Sequence, residues 1–266
     1  MSEENLDPVG TKALAEAAKI VTEKTVTGIG AFLNKVCMPA AEEFGLLLQD
    51  KVRSWRASNA VAILERSRAH LERNEQAGEI HVHPRIAGKI IDKSSWVDAE
   101  NLQEMWSGLF VSSCSPTGTD DSNLIFITLL DQLTASEATL IEFLCKDTRI
   151  CTSEHRLVLA ETQVIVPLEG LRKVTSIDSA SELDIAIDHL REVGLLQMES
   201  GFNLNSSPTP VAILTPSALC LNLFARTQGW TSDPYDFYEK GSPVGVREIA
   251  PVAPSTSHPS GYHDAF

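Results

Sequence analysis

The sequence predicts a mainly α protein: an N-terminal helical region followed by a winged-helix-like domain with a small β-hairpin wing. Three observations lead there. Apolar residues recur at three- and four-residue spacing over much of the first 114 residues. Runs rich in β-branched residues fall in the second half, as LVLAETQVIVPL at 157–168 and VAIL at 211–214. Between them, SELDIAIDHLREVGLLQ at 181–197 reads as a helix running into a strand. Helix, extended segment, helix, hairpin, helix is a winged-helix order.

Residues 11–56 read as helix with one break. Leu14, Ala17, Ala18 and Val21 share a face, Val26, Ile29 and Leu33 continue it, and Pro39 kinks or restarts it. A clearer amphipathic helix spans 58–76, with Ala60, Ile63, Leu64 and Leu71 as its stripe and Ser67 as the polar exception. Ser58 or Asn59 caps its start and Gly78 ends it. Pro84 sets an extended residue before a short helix. The strongest helix is 98–114, where Leu102, Met105, Trp106, Leu109 and Phe110 form one stripe behind Asp98 as N-cap. The turn-rich SPTGTDDSN that follows is the best internal boundary. It divides the chain into a helical domain at 1–115 and a winged-helix-like domain at 116–230, with a flexible tail at 231–266.

In the second half, 124–133 is a short apolar helix. The next opens on the capping box Thr134-x-x-Glu137 and turns Ala138, Ile141, Leu144 and Cys145 inward. Residues 157–168 are extended. Ser181 and Asp184 cap the helix after that, Leu183, Ala186, Ile187, Leu190 and Val193 are its buried stripe, and Gly194 is its left-handed stop. LLQM and VAIL make the wing. Thr215 caps the closing helix, with Pro216 at its first position and Gly229 at its end. Beyond Trp230 the Pro, Ser and Gly content lacks apolar periodicity and predicts a loosely held tail.

Charge narrows the function classes. The chain of 266 residues carries a formal net charge of −14, which repels phosphate backbones and anionic lipid. The helix at 181–193 sharpens this, with Glu182, Asp184, Asp188 and Glu192 on its solvent side against a single Arg191. One segment runs the other way: 51–73 holds Lys51, Arg53, Arg56, Arg66, Arg68 and Arg73 against Glu65 and Glu72. Trp55 between two arginines makes Arg53, Trp55, Arg56 and Asn59 the candidate partner-binding residues, since cations and an indole together grip an anionic surface. The competing reading pairs these arginines with the chain's own carboxylates, such as Glu42 or Glu43.

Catalytic and cofactor signals are weak. No P-loop, Rossmann fingerprint, G-x-S-x-G or H-E-x-x-H occurs, so neither a cofactor nor a metal is expected. Gly28-Ile29-Gly30 reads as close helix packing. His81 and His83, with His70 upstream, form a histidine cluster without a third ligand at diagnostic spacing. Five cysteines without a CxxC read as reduced, mostly buried thiols; Cys145 and Cys151 are the nearest pair, one on a helix's buried face and one in a loop. The acidic N-terminus and the apolar stretch broken by Lys35, Pro39, Glu42 and Glu43 point to a cytoplasmic protein.

Two stretches together resemble a known family. HPRIAGKIIDKSSWVDAENLQEMWSGLFVSSC and LIFITLLDQLTASEATLIEFL are similar to the abortive-infection alpha family of bacterial proteins. Leu102, Gln103, Trp106 and Leu109 fill its first helix motif, and Ile127, Leu130, Gln132, Leu133, Ala138 and Leu140 its second. RSWRASN upstream, and LREVGLLQ with VAILTPSALCLNLF downstream, extend the match over about residues 50–228; Ser217-Ala218 stands where the family commonly has Leu-Gly. The resemblance implies bacterial defence against phage, and it supplies no active site. The expected mode is non-enzymatic, by protein-partner binding or self-association. A DNA-binding winged-helix regulator and a membrane-acting effector are the alternatives.

Overall fold

The computed structural model describes residues 23–40, 51–73, 80–152, 155–203, 210–241 and 247–248. It is mostly helical. The described helices are α1 (Glu23–Val36), α2 (Lys51–Arg73), α3 (Pro84–Ser94), α4 (Glu100–Ser112), α5 (Leu124–Gln132), α6 (Ala135–Asp147), α7 (Leu168–Thr175), α8 (Ala180–Glu192), α9 (Ala218–Thr227) and α10 (Pro234–Gly241). Three small sheets accompany them. β1 (His81–Val82) pairs antiparallel with β2 (Cys114–Ser115). β3 (Ile150–Thr152) lies between β4 (Val158–Ala160) and β8 (Arg247–Glu248). β7 (Val211–Leu214) lies between β5 (Val164–Pro167) and β6 (Gly201–Asn203), antiparallel to both.

The apolar stripe of α4 sets the architecture. Leu102, Met105, Trp106, Leu109 and Phe110 are all buried, and α2, α3, α5, α6 and α9 pack around the helix. At Gly108 the backbone of α4 touches the end of α9. A Cβ there would sit 1.7 Å from the Thr227 carbonyl oxygen, so only glycine permits the approach. One hydrophobic core therefore runs from Ile29 to Tyr238 and joins residues on both sides of the loop at 115–123. Gly28 and Gly30 are inside α1, but a Cβ on Gly28 would make only an ordinary 3.7 Å contact with the Arg68 guanidinium and one on Gly30 would meet nothing within 4 Å, so the expected close helix packing does not require either glycine.

Several boundaries differ from the sequence reading. α2 runs unbroken through Ser58 and Asn59, because the neighbouring Arg and Ala residues favour helix and no Gly or Pro interrupts. Ala99 precedes α4 as its N-cap without a side-chain bond; Asp98 lies one residue too early, and Glu100 faces the helix dipole instead. LVLAETQVIVPL breaks after Ala160 into β4 and β5, which belong to different sheets. α7 follows β5 directly; its eight residues carry only Leu168, Leu171 and Val174 as large apolar side chains, too few to register as a periodic pattern. α8 is capped by Ser179, which accepts from the Glu182 amide, in place of Ser181 with Asp184.

After α8 the expectations split. Gly194 takes the left-handed conformation, with φ of +77°, and Leu183, Ile187 and Leu190 are buried, with Ala186 and Val193 half-buried. LLQM is not a wing strand. Leu195 and Leu196 are buried, Leu196 makes an isolated bridge to Pro216, and pairing with β7 begins only at Gly201. That bridge holds Pro216 extended, so Ser217, not Thr215, caps α9 by accepting from the Cys220 amide. The predicted tail opens with α10, whose Tyr238 is buried and donates to the Leu221 carbonyl; residues 242–246 and 249–266 lie outside the described residues.

Among the described residues no single helix is long and apolar enough to cross a membrane. α5 and α6 together reach that composition, but they bend by 120° and bury Ile127, Leu130, Leu140, Ile141 and Leu144 in the core.

Candidate functional site

The arginine cluster sits where α2 crosses the end of α3. Arg56 donates from Nε to Ser95 Oγ at 2.9 Å and from Nη2 to Asp92 Oδ1 at 2.8 Å. Its guanidinium lies over the Trp96 ring, 4.2 Å from the centroid, and Trp55 meets Trp96 edge-on. Asn59 is only 7% exposed and donates Nδ2 to the Ser95 carbonyl at 3.0 Å. It closes the C-terminus of α3 from inside the fold, so its expected contact with a partner gives way to a fastening role. The side chain of Arg53 lies outside the described residues, as do Glu42 and Glu43. Elsewhere on α2, Arg66 meets Glu104, Glu100 and Gln103, and Arg68 meets Glu72. Among the described residues of the basic helix, Arg56, Arg66 and Arg68 are thus paired with carboxylates of the chain. Sequence reasoning singled out Arg56 and Trp55 but missed Asp92, Ser95 and Trp96, which no local pattern marks; Trp96 is 53% exposed.

α8 presents the opposite case. Leu183, Ile187 and Leu190 face the core, which leaves Ser181, Glu182, Asp184, Ile185, Asp188 and Glu192 exposed. Ile185, 65% exposed, stands among these carboxylates. Arg191 is already held, donating to Asp188 Oδ1 at 2.6 Å and to the Ser200 carbonyl at 2.9 Å. Beside α8, toward β6, opens a groove of about 500 Å³ lined by Leu168, Ala180, Asp184, Arg191, Phe202 and Pro210.

The rear of α8 is fixed by a buried carboxylate. Glu137, 3% exposed, accepts from the Thr134 amide at 2.7 Å and from the Thr134 hydroxyl at 2.9 Å, and lies 2.6 Å from His189 Nδ1. Thr134 Oγ1 returns the capping-box bond by accepting from the Glu137 amide. One side chain therefore starts α6 and anchors α8. The capping box was legible in the sequence; the His189 contact, across 52 residues, was not.

The remaining candidates have structural places. His83 caps α3, its Nδ1 accepting from the Arg85 amide, while His81 is in β1. Among the described residues no group of three His, Cys, Asp or Glu is placed to hold a metal. The cysteines are free and buried. Cys145 neighbours Cys220, at 3.7 Å between sulfurs, and not Cys151, which lies in β3 and donates to the Leu159 carbonyl. Burial, then the adjacent Cys220, pushes the Cys145 thiol up, and burial pushes Cys114 up to about 12. Such thiols stay protonated and are poor nucleophiles.

Residues 57–210, more than half of the chain, match the family model described as abortive infection alpha. No curated protein and no solved structure matches the chain.

Proposed function

We propose, on the premise that the chain belongs to the abortive infection alpha family, that it acts without catalysis, by docking a protein partner on the exposed face of α8. Family membership implies abortive-infection defence. The exposed α8 face carries the docking mode. Residues 135–214 read as a winged-helix unit, supported by the order α6, β3, β4, β5, α7, α8, β6, β7, in which β3 and β4 form a separate sheet, and by β7 lying between β5 and β6. In such a unit α8 occupies the place of a DNA-reading helix. Here its carboxylates would face phosphates, repelling them and releasing no counterions. A carboxylate-lined face with exposed Ile185 is complementary to a basic protein surface instead.

The test is Ile185→Ser in the full chain. Loss of anti-phage protection with an unchanged melting curve supports docking through α8. Retained protection overturns it, and so does tight, sequence-dependent duplex binding at low salt.

A further inference from the structure

We propose that the groove between α8 and β6 receives a basic, amphipathic segment of a foreign protein, with an apolar side chain entering the groove and a flanking Lys or Arg meeting Asp184. This rests on the docking role of α8 and names the chemistry of its partner. The groove's volume of about 500 Å³ falls within the ~300–1,000 Å³ range of sites that enclose a ligand group. Its surface is more apolar than polar, and Leu168, Ala180, Phe202 and Pro210 supply the apolar wall. Ile185 is exposed on the same helix, outside the groove's lining.

Charge complementarity selects the occupant. Arg191 is the cation among the described lining residues, and Asp188 and the Ser200 carbonyl already hold it. With Arg191 matched by Asp188, the rim carboxylate of Asp184 leaves the groove mouth negative among the described lining residues. A nucleic acid would bring phosphates to these carboxylates. A second copy brings a net charge of −14, and Arg56, Arg66 and Arg68 of its basic helix are paired with Asp92, Glu100, Glu104 and Glu72. A segment alternating Lys or Arg with Leu-like residues satisfies both the wall and the rim.

The experiment uses the full chain and three short fluorescein-labelled peptides: Lys alternating with Leu, Lys alternating with Gly, and Glu alternating with Leu. Fluorescence anisotropy is expected to show the Lys/Leu peptide binding at least about tenfold tighter than the other two. Two variants then locate the site. At Gly201, on the groove's β6 side, an added Cβ would meet only the Arg191 guanidinium, at 3.6 Å, and the backbone φ is not positive. Gly201→Leu therefore adds apolar bulk on the groove's β6 side. Asp184→Lys reverses an exposed rim charge and decides alone should Gly201→Leu melt early. Each is expected to weaken the Lys/Leu peptide about tenfold with melting unchanged. No binding by wild type, equal binding of all three peptides, undiminished binding by Asp184→Lys, or displacement of the peptide by a short DNA duplex would each overturn the proposal. In cells, protection kept by a folded Gly201→Leu but lost by Ile185→Ser overturns the groove and leaves docking through α8 standing. Protection kept by both overturns both.

Discussion

Arg56 and Asp184 are both charged residues on long helices, yet their surroundings differ in kind. Around Arg56 two helices converge, so the guanidinium finds the Asp92 carboxylate, the Ser95 hydroxyl and the face of Trp96 within one cluster. Asp184 looks outward from α8 beside exposed Ile185, and the nearby Arg191 is committed to Asp188. The basic helix is a seam, while the acidic helix is an open face. Charge density along a sequence cannot separate these cases. What separates them is whether an opposite charge from a distant element arrives, and Asp92 arrives from 36 residues away.

The largest expected effect tests whether the two regions share one cooperative unit. Trp106 is fully buried on α4, the helix against which both halves pack. Trp106→Ala should cost about 3–5 kcal/mol. Calorimetry is expected to show one transition moved to lower temperature. Two separated transitions would mean that the seam and the α8 face belong to independent units, and the comparison would become one between domains.

The next effect isolates α8 from the seam. Glu137→Ala removes the carboxylate that holds His189 and starts α6, and leaves the Thr134 amide without its partner. A loss of about 1.5–3 kcal/mol is expected. Denaturant titration measures it, and hydrogen exchange should place the earliest loss of protection in α6 and α8. Unchanged protection there would show that apolar packing alone aims the acidic face.

At the seam itself, Asn59→Ala strands the buried Ser95 carbonyl and should cost about 1–3 kcal/mol. Arg56 and Asp92 are more exposed, so solvent screening limits their coupling to about 0–1 kcal/mol in a double-mutant cycle. Protection lost in Arg56→Ala with an unchanged melting curve would move the seam into the docking class. Protection falling only as far as folded protein falls keeps it structural.

These regions also show what the sequence made legible. The stripe on α4, the Thr134 capping box, the glycine stop after α8 and the acidic side of α8 are all local, repeating every few residues, and they appear in the structure. The family was legible for the same reason, since its motifs are helix-packing patterns. What was missed depends on separated residues. Asn59 looks like an N-cap by type, but its environment is the end of α3. LLQM looks like a strand by composition, yet the bridge from Leu196 to Pro216 draws it into the core. The groove draws its walls from α7, α8, β6 and Pro210 ahead of β7, and no short window of sequence contains them all.

The smallest expected effect on stability carries the sharpest contrast. Ile185 is 65% exposed, and its neighbours Asp184 and Asp188 are exposed. Ile185→Ser should therefore move folding free energy by no more than about 0.5 kcal/mol. Arg56→Ala provides the reference at the seam, where the lost bonds to Ser95 and Asp92 lower the melting temperature and protection follows the folded fraction. If Ile185→Ser melts with wild type and loses protection, stability and function are assigned to different helices. If it melts early, Ile185 is a packing residue and the face is less open than its exposure states. If both variants keep protection once folded, neither helix meets the partner, and the half-exposed Trp96 becomes the next residue to replace.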